Sequence, residues 1–423
     1  MRIRQLALAV MGVATLTATS LQVQAATIRI ACGAGPGLEH CKGVAQTWAD
    51  KTGNSIETIS TPSSATEQLA LYQQLLAAGS SDIDVFIIDV VWPGTLAQHL
   101  VDLKPYSQGA ENHHFPAIIE NNTVDHKLVA MPWYTDASLL YYRKDLLEKY
   151  NLAVPKTWEA LTETAQQVQK AEQDAGNDKF WGFVWQGRAY EGLTCDALEW
   201  ITSHNGGTVV EPDGKVSINN PQAIAALELA KGWVDTVSPP GVLNYQEEEA
   251  RGVFQAGNAL FMRNWPYAWS LSQGGDSPVK GKVGTAVLPK GGADGRHAAT
   301  LGGWQLGVSR YSKNPEAAID LVLYLTSAEV QKKRAVDLSL LPTIASLYED
   351  PEVIEANPFF VDLKDVLTSA VARPSTVTGG KYNQVSSEFF NAVFTVLSGR
   401  KSAEQSLSEL NVKLARLGRG GRW

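Results

Sequence analysis

Thr27-Ile28-Arg29-Ile30-Ala31, then Leu38 to Lys51, Ser55 to Ser60, Glu67 to Ala78 and Asp84-Val85-Phe86-Ile87-Ile88, decide the fold of this chain. The first, third and fifth segments have strand length, and the two between them have helical length. Leu69, Leu71, Leu75 and Leu76 give the second helix an apolar stripe. Asp84 to Ile88 is a nearly continuous apolar run, as expected of a strand covered on both faces. Strand, helix, strand, helix, strand in this order predicts a parallel α/β sheet.

The rest of the chain carries the same alternation. Leu139 to Tyr142, Phe180 to Trp185, Ala259 to Met262, Val283 to Leu288 and Leu306 to Val308 read as strands. Asp145 to Tyr150, Thr157 to Lys170, Pro221 to Val237, Gln246 to Gln255, Asn314 to Leu325 and Ala328 to Val336 read as helices, several opened by a capping threonine or an N-terminal proline. The C-terminal part is mostly helical, over 358–367, 385–398 and 403–417, with a loop from Ala372 to Tyr382.

The 423 residues are 44% hydrophobic and 19% charged, enough chain for two domains with sizeable cores. The formal net charge is −8, which argues against a nucleic-acid partner. The basic tail residues Arg416, Arg419 and Arg422 read as a solvated C-terminus. Residues 1–25 read as a signal peptide. Arg2 and Arg4 form a positive start, Leu6 to Leu16 is too short to span a bilayer, and Val23-Gln24-Ala25 is a small-residue cleavage site. Losing the two arginines takes the charge from −8 to −10. A soluble, exported, periplasmic protein is expected.

Export permits disulfides. Cys32 and Cys41, at the end of the first strand and the start of the first helix, are predicted to pair, the alternative being two free buried thiols. Cys195 is then left over as a small core residue. Neither the cysteines nor the scattered histidines show metal-ligand spacing, so no metal and no cofactor are expected. Gly33-Ala34-Gly35-Pro36-Gly37 imitates a dinucleotide loop. It fails because Leu38 stands where the third glycine belongs and Pro36 removes an amide donor. It reads instead as a tight turn close to a small polar ligand. No Walker loop and no G-x-S-x-G elbow occur.

Trp, Tyr and Asp recur at positions just after predicted strands: Asp89 with Trp92, Tyr134 with Asp136, Trp265 with Tyr267, and Gly303 with Trp304. This is sugar chemistry. Pyranose C–H faces lie on indole and phenol rings, while the hydroxyl rim needs fixed acceptors and donors. In α/β proteins such ligands sit beyond the carboxyl ends of strands.

Leu140-Tyr141-Tyr142-Arg143-Lys144-Asp145-Leu146-Leu147, followed by Pro155 and Thr157-Trp158-Glu159, resembles the signature of extracellular solute-binding proteins of ABC sugar importers, family 1. Phe254-Gln255-Ala256-Gly257-Asn258-Ala259 and Gly302-Gly303-Trp304 with Ser312-Lys313-Asn314-Pro315-Glu316 resemble later markers of the same family. Asn264-Trp265-Pro266-Tyr267-Ala268-Trp269 and Trp181-Gly182-Phe183-Val184-Trp185-Gln186-Gly187 are similar to its trehalose/maltose-binding branch.

That resemblance implies a periplasmic binding protein-like fold of type II, with two α/β lobes joined by a hinge around a ligand cleft. Residues 27–136 plus 285–333 would form the N-terminal lobe, and 137–284 plus 334–423 the C-terminal lobe. It also implies a non-catalytic role: capture of an α-linked disaccharide, trehalose first and maltose or sucrose next, and delivery to the transmembrane subunits of an ABC importer by a monomer. Carried over by motif position, Glu39, Asp89, Tyr134, Asp136, Trp265, Tyr267, Gly303, Trp304 and Arg373 would touch the ligand. Where the branch tends to place an arginine ahead of the Thr66-Glu67-Gln68 helix start, this chain has Ser60-Thr61-Pro62, so that donor is missing or replaced. The competing reading is a secreted glycosidase on the same sugars, which would need two carboxylates at a fixed separation.

Overall fold

The computed structural model describes residues 25–34, 36–368 and 370–423. All of the expected signal segment but Ala25 therefore lies outside the described residues. Two sheets organise the chain. The first contains β1 (Thr27–Ala31), β2 (Ser55–Ile59), β3 (Val85–Asp89), β4 (Met131–Ala137), β9 (Ala299–Val308) and β10 (Ala370–Val371). The second contains β5 (Leu139–Arg143), β6 (Trp181–Val184), β7 (Ala259–Asn264) and β8 (Val283–Ala286).

In the first sheet β1 pairs in parallel with β2 and β3, while β9 runs antiparallel to both β3 and β4. Every residue of β3 is buried, as its apolar run predicts for a strand with cover on both sides. Two core clusters provide that cover. Ile28, Ile30, Trp48, Val85 and Leu306 pack on one face, and Leu69, Tyr72, Leu76, Phe86 and Ile88 on the other. The second sheet has its own core, centred on Trp158, Phe183, Trp185, Trp200 and Trp233.

The helices that matter for the cleft are α1 (Pro36–Thr52), α2 (Ala65–Ala77), α3 (Trp158–Asp174), α4 (Glu191–Ser203), α5 (Pro221–Trp233), α6 (Glu247–Gln255), α7 (Pro315–Leu325), α8 (Ala328–Leu338) and α9 (Tyr382–Leu397). Local chemistry fixes several starts. Ser64 accepts from the Glu67 amide, Thr157 from Ala160 and Asn220 from Ala223, each satisfying an amide that the helix leaves free. The helix expected over 221–237 stops at Trp233, because the chain reverses there with Asp235 at φ 59°.

Two links between the two sheets converge on Glu199 of α4. Only Ser138 separates β4 from β5, and its hydroxyl donates to Glu199 of α4. Thr300, near the start of β9, donates its amide to Glu199 Oε1 at 3.1 Å and its hydroxyl to the Cys195 carbonyl at 2.9 Å. Both links are thus anchored on one buried carboxylate. Cys32 and Cys41 are joined by a disulfide that ties the end of β1 to α1, and Cys195 is free and buried. Among the described residues, no helix is long and apolar enough to cross a membrane.

Candidate functional site

A cavity of about 270 Å³ lies between the lobes, just below the usual range for small-molecule sites. Asp89, Tyr134, Asp136, Trp265, Tyr267, Gly303, Trp304 and Arg373 all line it. Glu39 does not. It is exposed in the first turn of α1, and the wall there is made by Cys32, Gly33 and Ala34 of the preceding turn and by Gly37 at the start of α1.

The first lobe presents its groups in a row. Strand register sets Trp304 of β9 beside Asp89 of β3 on one side and Tyr134 of β4 on the other. Tyr134, Asp136 and Trp304 therefore sit inside strands, not in the loops that their sequence context suggested. Trp92, buried behind the row, meets Trp304 edge-on at 5.5 Å between ring centroids. Gly303 is held at φ 129°, and a Cβ there would stand 2.8 Å from the Tyr134 carbonyl. Only glycine suits both the conformation and the close approach. At Gly302 an added Cβ would lie 3.0 Å from the Trp265 ring, so this strand and the second lobe's indole close together at the floor.

The second lobe builds its wall from helix starts and a turn. Trp265 and Tyr267 follow β7, Glu191 opens α4, and Glu247 and Glu248 open α6. Here each acid is held by a neighbour. Tyr190 donates to Glu247 at 2.7 Å, the Trp265 indole to Glu247 at 3.4 Å, and Tyr267 to Glu248 at 2.6 Å. Behind Trp265 stands Arg263, its guanidinium carbon 4.2 Å from the ring centroid. Arg263 is fully buried and paired with Asp196 at 2.7 Å and with Glu199.

Arg373 links the two sides. It bonds Asp89 of the first sheet at 2.8 Å and Glu191 of α4 at 2.7 Å. Ser386 and Tyr382 of α9 also donate to Glu191. The lobes touch again where Arg188 meets Glu67 at 2.7 Å and the Glu191 amide meets Thr66 Oγ1 at 3.1 Å.

Burial raises the pKa of Glu191 despite the opposing Arg373 charge, and raises that of Glu247 despite its aromatic donors. Burial also pushes Asp136 well above the usual carboxylate range, against the pull of Arg334. Some cavity groups remain unsatisfied. Among the described residues, nothing bonds Asp136 Oδ1, the Trp133 indole N–H, Arg373 Nε, or Arg334 Nε and Nη1. No group of three or more His, Cys, Asp or Glu among those residues is placed to hold a metal.

Sequence reasoning missed Glu191, Glu247, Glu248, Tyr190 and Arg334. Glu247 and Glu248 follow Gln246 at a helix start that the sequence does predict, so an acidic first turn facing the cleft was within reach. Glu191 lies in a helix for which the sequence offers no periodic signal.

A two-lobed α/β protein with a cleft between its lobes has the architecture of a binding protein. The profile of bacterial extracellular solute-binding proteins matches residues 42–332. This chain belongs to that family. A probable ABC transporter-binding protein of Deinococcus radiodurans is 54% identical over 97% of this chain and 99% of the relative. Maltose-bound MalE3 of T. maritima superposes with a TM-score of 0.87 at 42% identity, over 93% of this chain and all of that one. The acarbose-binding GacH receptor of Streptomyces glaucescens shares the fold, with a TM-score of 0.81 over 93% of this chain and 98% of that one, at 23% identity. The chain is accordingly a solute-binding component of an ABC transporter acting in the periplasm or outside the cell, and not an enzyme.

Proposed function

We propose that this protein captures a small neutral sugar, an α-linked disaccharide, and presents it to the transmembrane subunits of an ABC importer. Trehalose is the first candidate, with maltose and sucrose next. The observation that carries this reading is the cleft itself. Rings from both lobes (Trp304 and Tyr134 against Trp265 and Tyr267) flank a cavity that also holds unsatisfied donors and unsatisfied acceptors. Apolar sugar faces suit the rings, and hydroxyls, which both donate and accept, suit the mixed polar groups. The likeness to maltose-bound MalE3 supports the same class of ligand.

The geometry of the cleft supports capture by closure. A sugar touching both walls stabilises the arrangement in which they meet, so binding shifts the lobes toward closure and the ligand leaves chemically intact. Asp89, Asp136 and Arg373 would bond hydroxyls, Trp265, Tyr267, Tyr134 and Trp304 would stack, and Gly303 would give the backbone room. Thermal melts and calorimetry with trehalose, maltose and sucrose test the reading. Saturable binding of at least one, with a raised melting temperature, is expected. Indifference to all three contradicts it.

A further inference from the structure

Arg334 of α8 lines the cleft with only 3% of its surface exposed. Its guanidinium carbon lies 3.5 Å from the Trp133 ring centroid and 4.8 Å from that of Tyr134. Those ring faces attract the cation. They accept no ordinary hydrogen bond, and among the described residues nothing else takes one from Nε or Nη1.

In the same cavity Asp136, 6% exposed, has Oδ1 without a donor among the described residues. The two residues sense each other's charge, yet among the described residues they form no ion pair, and burial prevails at both. The Arg334 pKa is lowered to about 9, and that of Asp136 is raised. A buried charged group left unpaired costs several times what a paired one does. Such a pair persists where something else completes it.

The chemistry of that completion is constrained. A guanidinium only donates and a carboxylate only accepts. An anion would satisfy Arg334 but face Asp136 and Asp89. A cation would satisfy Asp136 but face Arg334. A neutral ring carrying adjacent hydroxyls satisfies both.

We propose that Arg334 is a ligand-contacting residue, donating to a hydroxyl or ring oxygen of one sugar ring while Asp136 accepts from a neighbouring hydroxyl of that ring. This rests on the sugar-binding reading above and sharpens it. The part of the cleft lined by Arg334 and Asp136 becomes a subsite for an uncharged ring, and Arg334 becomes a determinant of which hydroxyl pattern fits.

The test is a calorimetric cycle on the whole protein. The ligand is whichever of trehalose, maltose and sucrose binds, together with its monodeoxy analogues. On the natural protein, one analogue should bind roughly tenfold or more weakly than the parent sugar. Arg334→Met should weaken the parent sugar by a similar factor and show no further loss with that analogue, while its melting temperature without sugar holds or rises. Arg334→Lys should fall between, and carries the comparison alone if the Met variant does not fold. Unchanged affinity in the variants, or equal loss across every analogue with a lowered melting temperature, overturns the role of Arg334. Failure of the natural protein to bind any sugar removes the underlying reading, and this one with it.

Discussion

On the first lobe's side of the cleft, the polar and aromatic groups stand on three adjacent strands. On the second lobe's side they stand at helix starts and in the turn after β7. Register alone aligns Asp89, Trp304 and Tyr134, so the first wall is as rigid as its sheet. The second wall has no such ladder. Its acids are held by phenol and indole donors, and its indole rests on the Arg263 cluster. One wall is positioned by backbone and the other by side-chain chemistry, so the two should fail differently when disturbed.

The largest effect is expected behind the second wall. Arg263→Met leaves Asp196 and Glu199 buried without their cation and should cost about 3–5 kcal/mol of stability. Denaturant unfolding without sugar measures it. A loss below about 1 kcal/mol would show that packing, not charge, supports that wall.

In the first wall the fragile point is backbone. Gly303→Ala sets a side chain against the Tyr134 carbonyl at a φ that alanine resists. It should cost about 1–3 kcal/mol and weaken sugar binding through Trp304. Normal stability would mean that the strand yields more easily than the register suggests.

Asp136→Asn separates binding from stability. Because burial raises the Asp136 pKa in the folded protein, its cost is absent below the unfolded value and grows as pH rises through it. The variant should therefore be more stable than the natural protein at pH 8, with the gain shrinking toward pH 4, while its sugar affinity drops. A variant destabilised at pH 8 would contradict this sign.

A smaller effect concerns how α8 is attached to the first lobe. His114 bonds Thr343 at 2.7 Å, and Thr343 in turn bonds Gln331 of α8. Burial lowers the His114 pKa from 6.5 to about 4. The unfolded chain takes up that proton first, so stability should fall as pH drops from 6.5 toward 4. His114→Gln should flatten melting temperature over that window, and an unchanged slope would remove His114 as its source.

The two walls were also unequally readable. Asp89, Trp265 and Tyr267 follow apolar runs of strand length, so the sequence placed them at strand ends. Arg373 came from motif position alone. β4 and most of β9 went unread because Gly302, Gly303 and Pro132 look like loop residues, although the glycines serve close backbone contacts within a strand. α4 was missed for a different reason. All thirteen of its residues are buried, polar ones included, so it has no exposed face and therefore no periodicity to detect. Its Glu191 and the distant Arg334 reach the cavity only through tertiary packing. Glu39 shows the reverse case: a motif position that the described structure leaves exposed, outside the cavity.

If sugar is clasped by both walls, removing either ring surface must weaken it. Calorimetric titration of Trp304→Ala and Trp265→Ala with the best-bound disaccharide is the most direct check. Each variant should lose about 1–3 kcal/mol of binding energy without loss of fold. Full affinity in either one would mean that the ligand lies against a single lobe, and a clasp between two walls would be contradicted.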